Sequence, residues 1–240
     1  MGKARAVLGE ERTQTRFVYN GSDAHGITYP VARGSLLNAL FVISDPEPWT
    51  HPRHTAAGTK AEIVAAYADW HLAVRGLVSL LPEKLDKWAL FDMYENPADR
   101  FNAGAVALAG DAAHASGPHL GSGAGFGVED ALVLASILEA ADRRLAIARR
   151  GQSWGDEERV AICHEALAAY NEVRFERDQW LPGATREAAE LFQGRDEEVA
   201  KDPSRFLPRV ARLYHAIWDN DIDKMVKTAV TVFERRTSQV

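Results

Sequence analysis

The sequence predicts a mixed α/β and α+β fold, in which antiparallel strands come first, a strand–loop–helix lies in the middle, and the rest is helical. Three observations predict it. Runs rich in β-branched and aromatic residues alternate with turn residues between positions 16 and 44. An apolar run then passes through a glycine-rich loop into a helical pattern, and apolar residues recur at helical spacing through most of the remaining chain.

The composition is that of an ordinary globular protein. The chain has 240 residues, 46% hydrophobic and 26% charged, which is enough for one large or two small domains. Its formal net charge of −6 gives no general attraction to nucleic acid or anionic lipid, so we expect neither partner. The sequence shows no signal peptide and no apolar segment approaching the roughly 20 residues of a membrane span. With Cys163 as the single cysteine, we expect a cytoplasmic protein in which Cys163 is packed.

Strands and turns dominate the first hundred residues. Residues 3–12 are compatible with a helix, and strands are predicted over 17–19, 26–30 and 36–43, paired antiparallel. Residues 45–58 hold three prolines and predict a loop. His51 and His54 lie in this loop without a Cys or carboxylate at ligand spacing, which disfavours a metal site.

Capping signals divide the next segment. Thr59 with Glu62 three residues later predicts the start of a helix that runs through Trp70, and a second helix follows over 71–81. Residues 88–94 predict a further strand.

The central segment begins with the apolar run 105–109, which predicts a buried strand because it contains no polar residue. A long helix is predicted from Phe126 to Ala148, stopped by Arg149-Arg150-Gly151, with Glu129 and Asp130 in its first turn. Later helices are predicted over 156–180, closed by Pro182-Gly183, and over 185–200 and 204–233.

The loop between run and helix predicts an anion site. A glycine-rich loop before a helix presents unpaired N–H groups and the positive end of the helix dipole. The glycines occupy alternate positions, Gly121, Gly123, Gly125 and Gly127, so they do not match the dinucleotide fingerprint. A phosphate loop is also excluded, because no Gly-Lys-Ser or Gly-Lys-Thr follows.

Two polar residues beside the predicted strand leave alternatives open. Asp111 either accepts hydrogen bonds from a ligand or caps its own turn. His114, three residues later, is either a packed histidine on an apolar turn or part of a proton relay.

These residues form part of a longer pattern. It reads Gly110-Asp111-Ala112-Ala113-His114, Pro118-His119, Gly121-x-Gly123-Ala124-Gly125 and Glu129-Asp130-Ala131. This pattern resembles the second flavin-binding motif of the FAD-dependent aromatic hydroxylases, most closely the fungal salicylate hydroxylase-like group. The resemblance extends over nearly the whole chain, through Asp23-Ala24-His25, Tyr29-Pro30, Gly34 and Asn38 on one side and 170–177 and 217–221 on the other.

The resemblance implies a flavin monooxygenase. NADH or NADPH would reduce FAD, and O2 would supply the oxygen inserted into an aromatic or related small molecule, with no catalytic side chain or metal required. Asp111 would hydrogen-bond the ribityl or pyrophosphate part of FAD, and N–H groups near Ala124 would face the O2/N1 edge of the flavin ring. His25 and Tyr29 would lie on the sheet above the substrate pocket. The implied cofactor-binding set is Gly110, Asp111, Pro118, Gly121, Gly123, Ala124 and Gly125.

One part of the family pattern is absent from these 240 residues. The family holds the adenosine half of FAD with a βαβ unit carrying G-x-G-x-x-G, and this chain resembles the C-terminal portion of such a protein. We therefore expect 1–100 to be substrate domain, 101–150 to be part of the FAD domain and 151–240 to be a helical region. The alternative function is a truncated, catalytically inactive remnant that acts as a binding or interaction protein, and FAD binding is expected to need the missing segment.

Overall fold

The structure, a computed structural model, describes residues 1–148 and 154–238, and it confirms the mixed fold of antiparallel strands followed by helices. The strands are β1 (Phe17–Asn20), β2 (Ala24–Val31), β3 (Leu36–Ile43), β4 (Thr55–Thr59), β5 (Lys84–Trp88), β6 (Asn102–Ala103) and β7 (Val106–Ala107). The helices are α1 (Gly2–Leu8), α2 (Glu10–Gln14), α3 (Lys60–Ala66), α4 (Leu72–Ser79), α5 (Asp111–His114), α6 (Gly123–Ala148), α7 (Asp156–Phe192), α8 (Glu197–Lys201), α9 (Phe206–Trp218) and α10 (Ile222–Thr237).

The chain forms two compact units. The first comprises Met1–Leu90 and Ala189–Arg209, and the second comprises Phe91–Ala188 and Val210–Val240. In the part of the chain that the structure describes, no helix is both long enough and apolar enough to cross a membrane.

The first unit is built on the antiparallel sheet β1-β2-β3, as the sequence predicts. Tyr67, which directly follows α3, fixes this sheet, because its hydroxyl donates a 2.8 Å hydrogen bond to the carbonyl oxygen of His25. The ring of Tyr67 also packs edge-on against Phe41, with centroids 5.1 Å apart. Burial raises the pKa of the Tyr67 phenol, so the hydroxyl stays a donor.

The capping signal at Thr59 is confirmed. Thr59 Oγ1 accepts from the Glu62 N–H at 3.4 Å, and the Glu62 carboxylate accepts from the Thr59 N–H at 2.7 Å. The helix ends at Ala66 instead of Trp70, and Leu72–Ser79 follows as the second predicted helix.

Two predictions for this unit are wrong at the strands. Part of the predicted loop 45–58 is strand β4. The strand predicted over 88–94 lies earlier in the chain, as β5, and ends at Trp88. The reason is pairing: β4 and β5 are antiparallel partners from Thr59↔Lys84 to Thr55↔Trp88. Backbone hydrogen bonds to a partner thus outweigh local composition.

The core of the second unit lies among α6, α7 and α10. Fully buried side chains from all three helices meet there, among them Val133, Ile137, Tyr170 and Phe233. Cys163 on α7 is exposed, so the prediction that it is packed is wrong. Its neighbour Ile162 occupies the buried face of the helix, which leaves Cys163 on the solvent side.

Helix α7 continues through Pro182, so the predicted helix end at Pro182-Gly183 is wrong. A proline inside a helix removes one backbone hydrogen bond, at a cost of about 3 kcal/mol. Leu181 and Ala184 are buried on either side of it, and Thr185 Oγ1 donates to the Pro182 carbonyl oxygen at 3.0 Å. Packing therefore offsets the break that local propensity predicts.

The remaining helix bounds also differ from the prediction. The stretch 185–200 is the end of α7 plus α8, and 204–233 is divided into α9 and α10. Asp221 causes the second division, because its carboxylate caps α10 by accepting from the Lys224 N–H at 2.9 Å. The stop predicted at 149–151 lies outside the described residues.

Candidate functional site

The glycine-rich loop leads into α6, a helix of 26 residues that starts at Gly123. Its first helical hydrogen bond runs from Phe126 N to Ser122 O, at 3.0 Å. The N–H groups of Gly123, Ala124 and Gly125 therefore precede the helical hydrogen-bond ladder and can bind a ligand. The predicted start at Phe126 is too late by one turn, so Glu129 and Asp130 are not in the first turn.

The loop before α6 has open space beside its backbone. A Cβ placed on Gly121 or Gly125 would have no neighbouring atom within 4 Å, and Gly121 adopts the left-handed conformation, with φ 67°. Ser122 Oγ is buried and has no hydrogen-bond partner among the described residues. An open backbone edge, a buried hydroxyl in need of a partner and a positive helix end fit the electron-rich edge of a planar ring.

Asp111 lies at the start of α5, on the surface. Its carboxylate makes no hydrogen bond or ion pair with any residue that the structure describes, so Asp111 does not cap its own turn. Of the two alternatives left open by the sequence, the geometry favours the one in which Asp111 is available to a ligand.

Gly110 shapes this turn. Its backbone, at φ 58° and ψ −139°, lies in a region that is essentially restricted to glycine. It also packs closely on α6, because a Cβ on Gly127 would lie 3.6 Å from the Gly110 Cα. The turn that presents Asp111 therefore rests on the beginning of α6.

Asp130 holds this turn from α6. One of its carboxylate oxygens, Oδ2, accepts the Gly110 N–H at 2.8 Å and lies 2.8 Å from His114 Nε2. The other oxygen, Oδ1, accepts from Arg174 Nε at 2.9 Å. His114 is almost fully buried, with its ring centroid 6.2 Å from that of Phe101, as expected of a packed histidine.

Arg174 is the centre of a buried ionic network. Its guanidinium contacts the carboxylates of Glu129, Asp130 and Asp178, and the last two are fully buried. It also lies 3.1 Å from the sulfur of Met225 on α10. Arg174 thus connects three helices of the second unit.

The surroundings of the two buried aspartates of the network shift their pKa values in opposite directions. Burial opposes ionisation of Asp130, but hydrogen bonds from His114 and Gly110 outweigh it and hold the pKa of Asp130 well below its usual range. Burial raises the pKa of Asp178 to about 9, opposed by Arg174 and reinforced by the charge of Asp130. Burial thus favours the protonated form of Asp178, whereas the contacts of Asp130 favour its ionised form.

His114, Asp130 and Asp178 also lie close enough together to suggest a metal site. The charges argue against it. Both oxygens of Asp130 already accept hydrogen bonds, and the guanidinium of Arg174 contacts both Asp130 and Asp178. A divalent cation would have to displace or approach that positive charge.

The other predicted site residues lie in the first unit or on exposed loops. His25 is fully buried, with its ring 5.6 Å from that of Phe192, whereas Tyr29 on the same face of β2 is 39% exposed. His51 Nδ1 accepts the Arg53 N–H at 3.2 Å within its exposed loop. Pro118 is exposed and begins the short 3-10 turn before Gly121.

The prediction of a buried strand over 105–109 is wrong. Only Val106–Ala107 is a strand, its sole partner among the described residues is Asn102–Ala103, and Val106 is 63% exposed. An apolar strand is buried on both faces only when other strands and layers cover it. Val106 is therefore an uncovered apolar side chain, whereas Ala107 and Leu108 are partly buried against the core of the second unit.

Sequence reasoning found the exposed members of the site but gave no role to Asp130 or Arg174. A signal was present. The matched pattern includes both Glu129-Asp130 and the segment 170–177. However, the contact between Asp130 and Arg174 spans 44 residues of sequence and is visible only once the helices are packed.

Comparison with known proteins supports the flavoprotein interpretation. Residues 50–161 match the FAD binding domain family. An FAD-dependent monooxygenase of Aspergillus niger, orf3, is 43% identical over 100% of this chain and 54% of its own length. The salicylate hydroxylase asL1 of Sarocladium schorii is 36% identical over 98% of this chain and 50% of its own length.

Solved structures agree. A salicylate hydroxylase–substrate complex superimposes with a TM-score of 0.78 at 28% identity, covering 95% of this chain and 53% of that one. The fold alone is shared with CtdE, at a TM-score of 0.70 and 14% identity over 98% of this chain and 53% of that one. The chain spans about half the length of the curated relatives it matches. Over that span, the chain is similar to FAD-dependent monooxygenases, among them salicylate hydroxylase.

Proposed function

We propose that this chain supplies the flavin-ring end of an FAD site, and that the whole protein is an NAD(P)H- and O2-dependent monooxygenase. The observation that carries the proposal is the open N-terminus of α6 beside a turn that presents Asp111, whose carboxylate has no partner in the described part of the chain. We also propose the three-part division into substrate domain (1–100), FAD-domain part (101–150) and helical region (151–240).

Bound FAD supplies the redox chemistry, and the chain's own residues bind and orient it. Asp111 is proposed to accept hydrogen bonds from the sugar-alcohol or phosphate part. The N–H groups of Gly123, Ala124 and Gly125 are proposed to donate to the ring edge that becomes negative on reduction, with the helix dipole adding to the attraction. Gly110, Pro118 and Gly121 shape the backbone around the ring.

The proposed substrate is a small hydroxylated aromatic compound. Support comes from the relatives named as salicylate hydroxylases. Tyr29 is proposed to contribute its exposed ring to the pocket, with His25 behind it on the same strand face. The proposed compartment is the cytoplasm, since the chain has one cysteine and no need of disulfides.

A second candidate is a non-catalytic binding protein derived from such an enzyme. The apolar surface at Val106 favours it, because the run would need further strands to be covered. In this case the 240-residue chain would bind FAD weakly, since the G-x-G-x-x-G unit for the adenosine half is not among its residues. FAD that co-purifies at near-equal stoichiometry would exclude weak binding.

Titration of the purified chain with FAD, followed by flavin fluorescence, tests the proposed site. We expect Asp111→Ala to weaken binding at least tenfold, because the turn loses its side-chain anchor. Asp142→Ala, which removes another exposed aspartate of the second unit, should leave binding unchanged. Equal affinities for wild type and Asp111→Ala would contradict the role of Asp111.

Consumption of NADH or NADPH and O2, measured with FAD and salicylate or related phenols, separates the two candidates. Substrate-stimulated oxidation with formation of a hydroxylated product supports the enzyme. FAD binding without turnover supports the binding protein.

A further inference from the structure

The turn that presents Asp111 is held at both ends by one carboxylate. Gly110 comes directly before Asp111, and His114 is the last residue of the same short helix. Both contact the same oxygen of Asp130, each at 2.8 Å. The position of Asp111 therefore depends on a buried side chain that is itself too deep to touch a ligand.

The carboxylate that holds the turn is in turn fixed by Arg174. Arg174 Nε binds Asp130 Oδ1 at 2.9 Å, and one terminal nitrogen contacts Asp178 at 2.5 Å. The same guanidinium lies 3.4 Å from the Phe126 carbonyl oxygen in the first turn of α6. Arg174 thus contacts both the first turn of α6 and the Asp130 carboxylate, which holds the turn that presents Asp111.

Stability alone is a weak explanation for this network. A buried ion group is often no more stabilising than apolar residues of the same volume, because the charges lose their hydration. A buried charge network does fix relative positions, since each partner must stay in place to avoid an unpaired buried charge. The network connects two parts of the proposed flavin site, the turn that presents Asp111 and the N-terminus of α6. These two parts must keep a fixed separation to bind one ligand.

We propose that Asp130 and Arg174 are positioning residues of the flavin site, which set Asp111 at a fixed distance from the N-terminus of α6. The part of the inference that concerns flavin binding rests on the proposed function. The contacts themselves can be tested without any flavin.

Amide hydrogen exchange of the 240-residue chain tests the contacts. We expect Asp130→Asn to accelerate exchange at the Gly110 N–H at least tenfold relative to the amide of Ile137, a fully buried residue of the same helix. Glu139→Gln, an exposed change on α6, should leave that ratio unchanged. An unchanged ratio in a folded Asp130→Asn variant would overturn the proposal.

Nitrogen NMR of His114 in the wild-type chain gives a test that needs no variant to fold. The proposal requires a proton on Nε2, in contact with the Asp130 carboxylate, and detection of this proton with slow solvent exchange supports it. A neutral His114 with its proton on Nδ1 would overturn it.

FAD titration connects the contacts to the function. We expect Asp130→Asn and Arg174→Lys each to raise the FAD dissociation constant at least fivefold while Asp111 is still present, and Glu139→Gln to have no effect. Wild-type affinity in a variant whose Gly110 exchange has accelerated would overturn the positioning role. If wild-type chain binds no FAD, the proposed function fails, and the exchange and NMR results alone decide whether the network holds the turn.

Discussion

Asp130 accepts the backbone N–H of Gly110 at 2.8 Å, across 20 residues of sequence. The contact attaches the turn that presents Asp111 to α6. The N-terminus of α6 is where the flavin ring is proposed to bind. It also explains why the sequence places an aspartate, and not an apolar residue, at a fully buried position of α6. The carboxylate satisfies the Gly110 N–H, a buried imidazole and a buried guanidinium at once.

Replacing Arg174 with Met should lower the free energy of unfolding by about 3–5 kcal/mol, because it leaves buried carboxylates without their cation. Arg235→Met is the matched control, since Arg235 pairs with Glu172 on the surface and should cost less than about 1 kcal/mol. Urea unfolding followed by circular dichroism measures both. Equal losses in the two variants would contradict the central role of Arg174.

Stability should fall as the pH rises from about 6 towards 9. The pKa of Asp178 is raised to about 9 by burial, whereas the unfolded chain releases this proton near pH 4. The native state therefore binds more protons in this window, and the free energy of unfolding decreases with pH. Asp178→Asn stays neutral and should reduce the decrease.

Urea unfolding at pH 6 and pH 8.5 measures this effect, with Asp142→Asn as the exposed control. The same pH dependence in wild type and Asp178→Asn would show that Asp178 is ionised in the native state.

Gly110→Ala should destabilise the second unit by roughly 1–3 kcal/mol, because a residue with a Cβ is strained at φ 58° and ψ −139°. FAD affinity should fall with it. In contrast, Gly2→Ala lies in α1 with no atom near its new Cβ and should not destabilise. Thermal unfolding compares the two, and a neutral Gly110→Ala would mean that the turn is not constrained.

Thr59→Ala should cost the first unit about 1 kcal/mol, since it removes the hydroxyl that caps α3. Thr59→Ser keeps the hydroxyl and should cost much less. The Glu62 carboxylate, whose pKa is lowered to about 2 by Lys87 and then by Thr59, should titrate higher in Thr59→Ala. NMR titration of Glu62 checks the direction, and an unchanged value would argue against the capping box.

The local patterns of the sequence were enough for much of the first unit. Alternating apolar residues and turn signals predict β1, β2 and β3, and the Thr59-to-Glu62 spacing predicts the start of α3, because these signals act between residues close in sequence. Composition did not predict β4, which forms because β5 pairs with it. Pro182 is the clearest case of a local signal overruled by packing.

For the candidate site, the sequence by itself determined the family pattern, the cofactor it implies and the residues proposed to bind that cofactor, from Gly110 and Asp111 to Gly125. Those residues are marked by type and spacing, since a close backbone approach requires glycine. Only the tertiary structure decided that Asp111 has no partner among the described residues, that His114 is packed, and that Asp130 and Arg174 contact the turn and its helix. These facts depend on burial and on contacts between distant helices, and the cost of an unpaired buried charge arises only after the chain has folded.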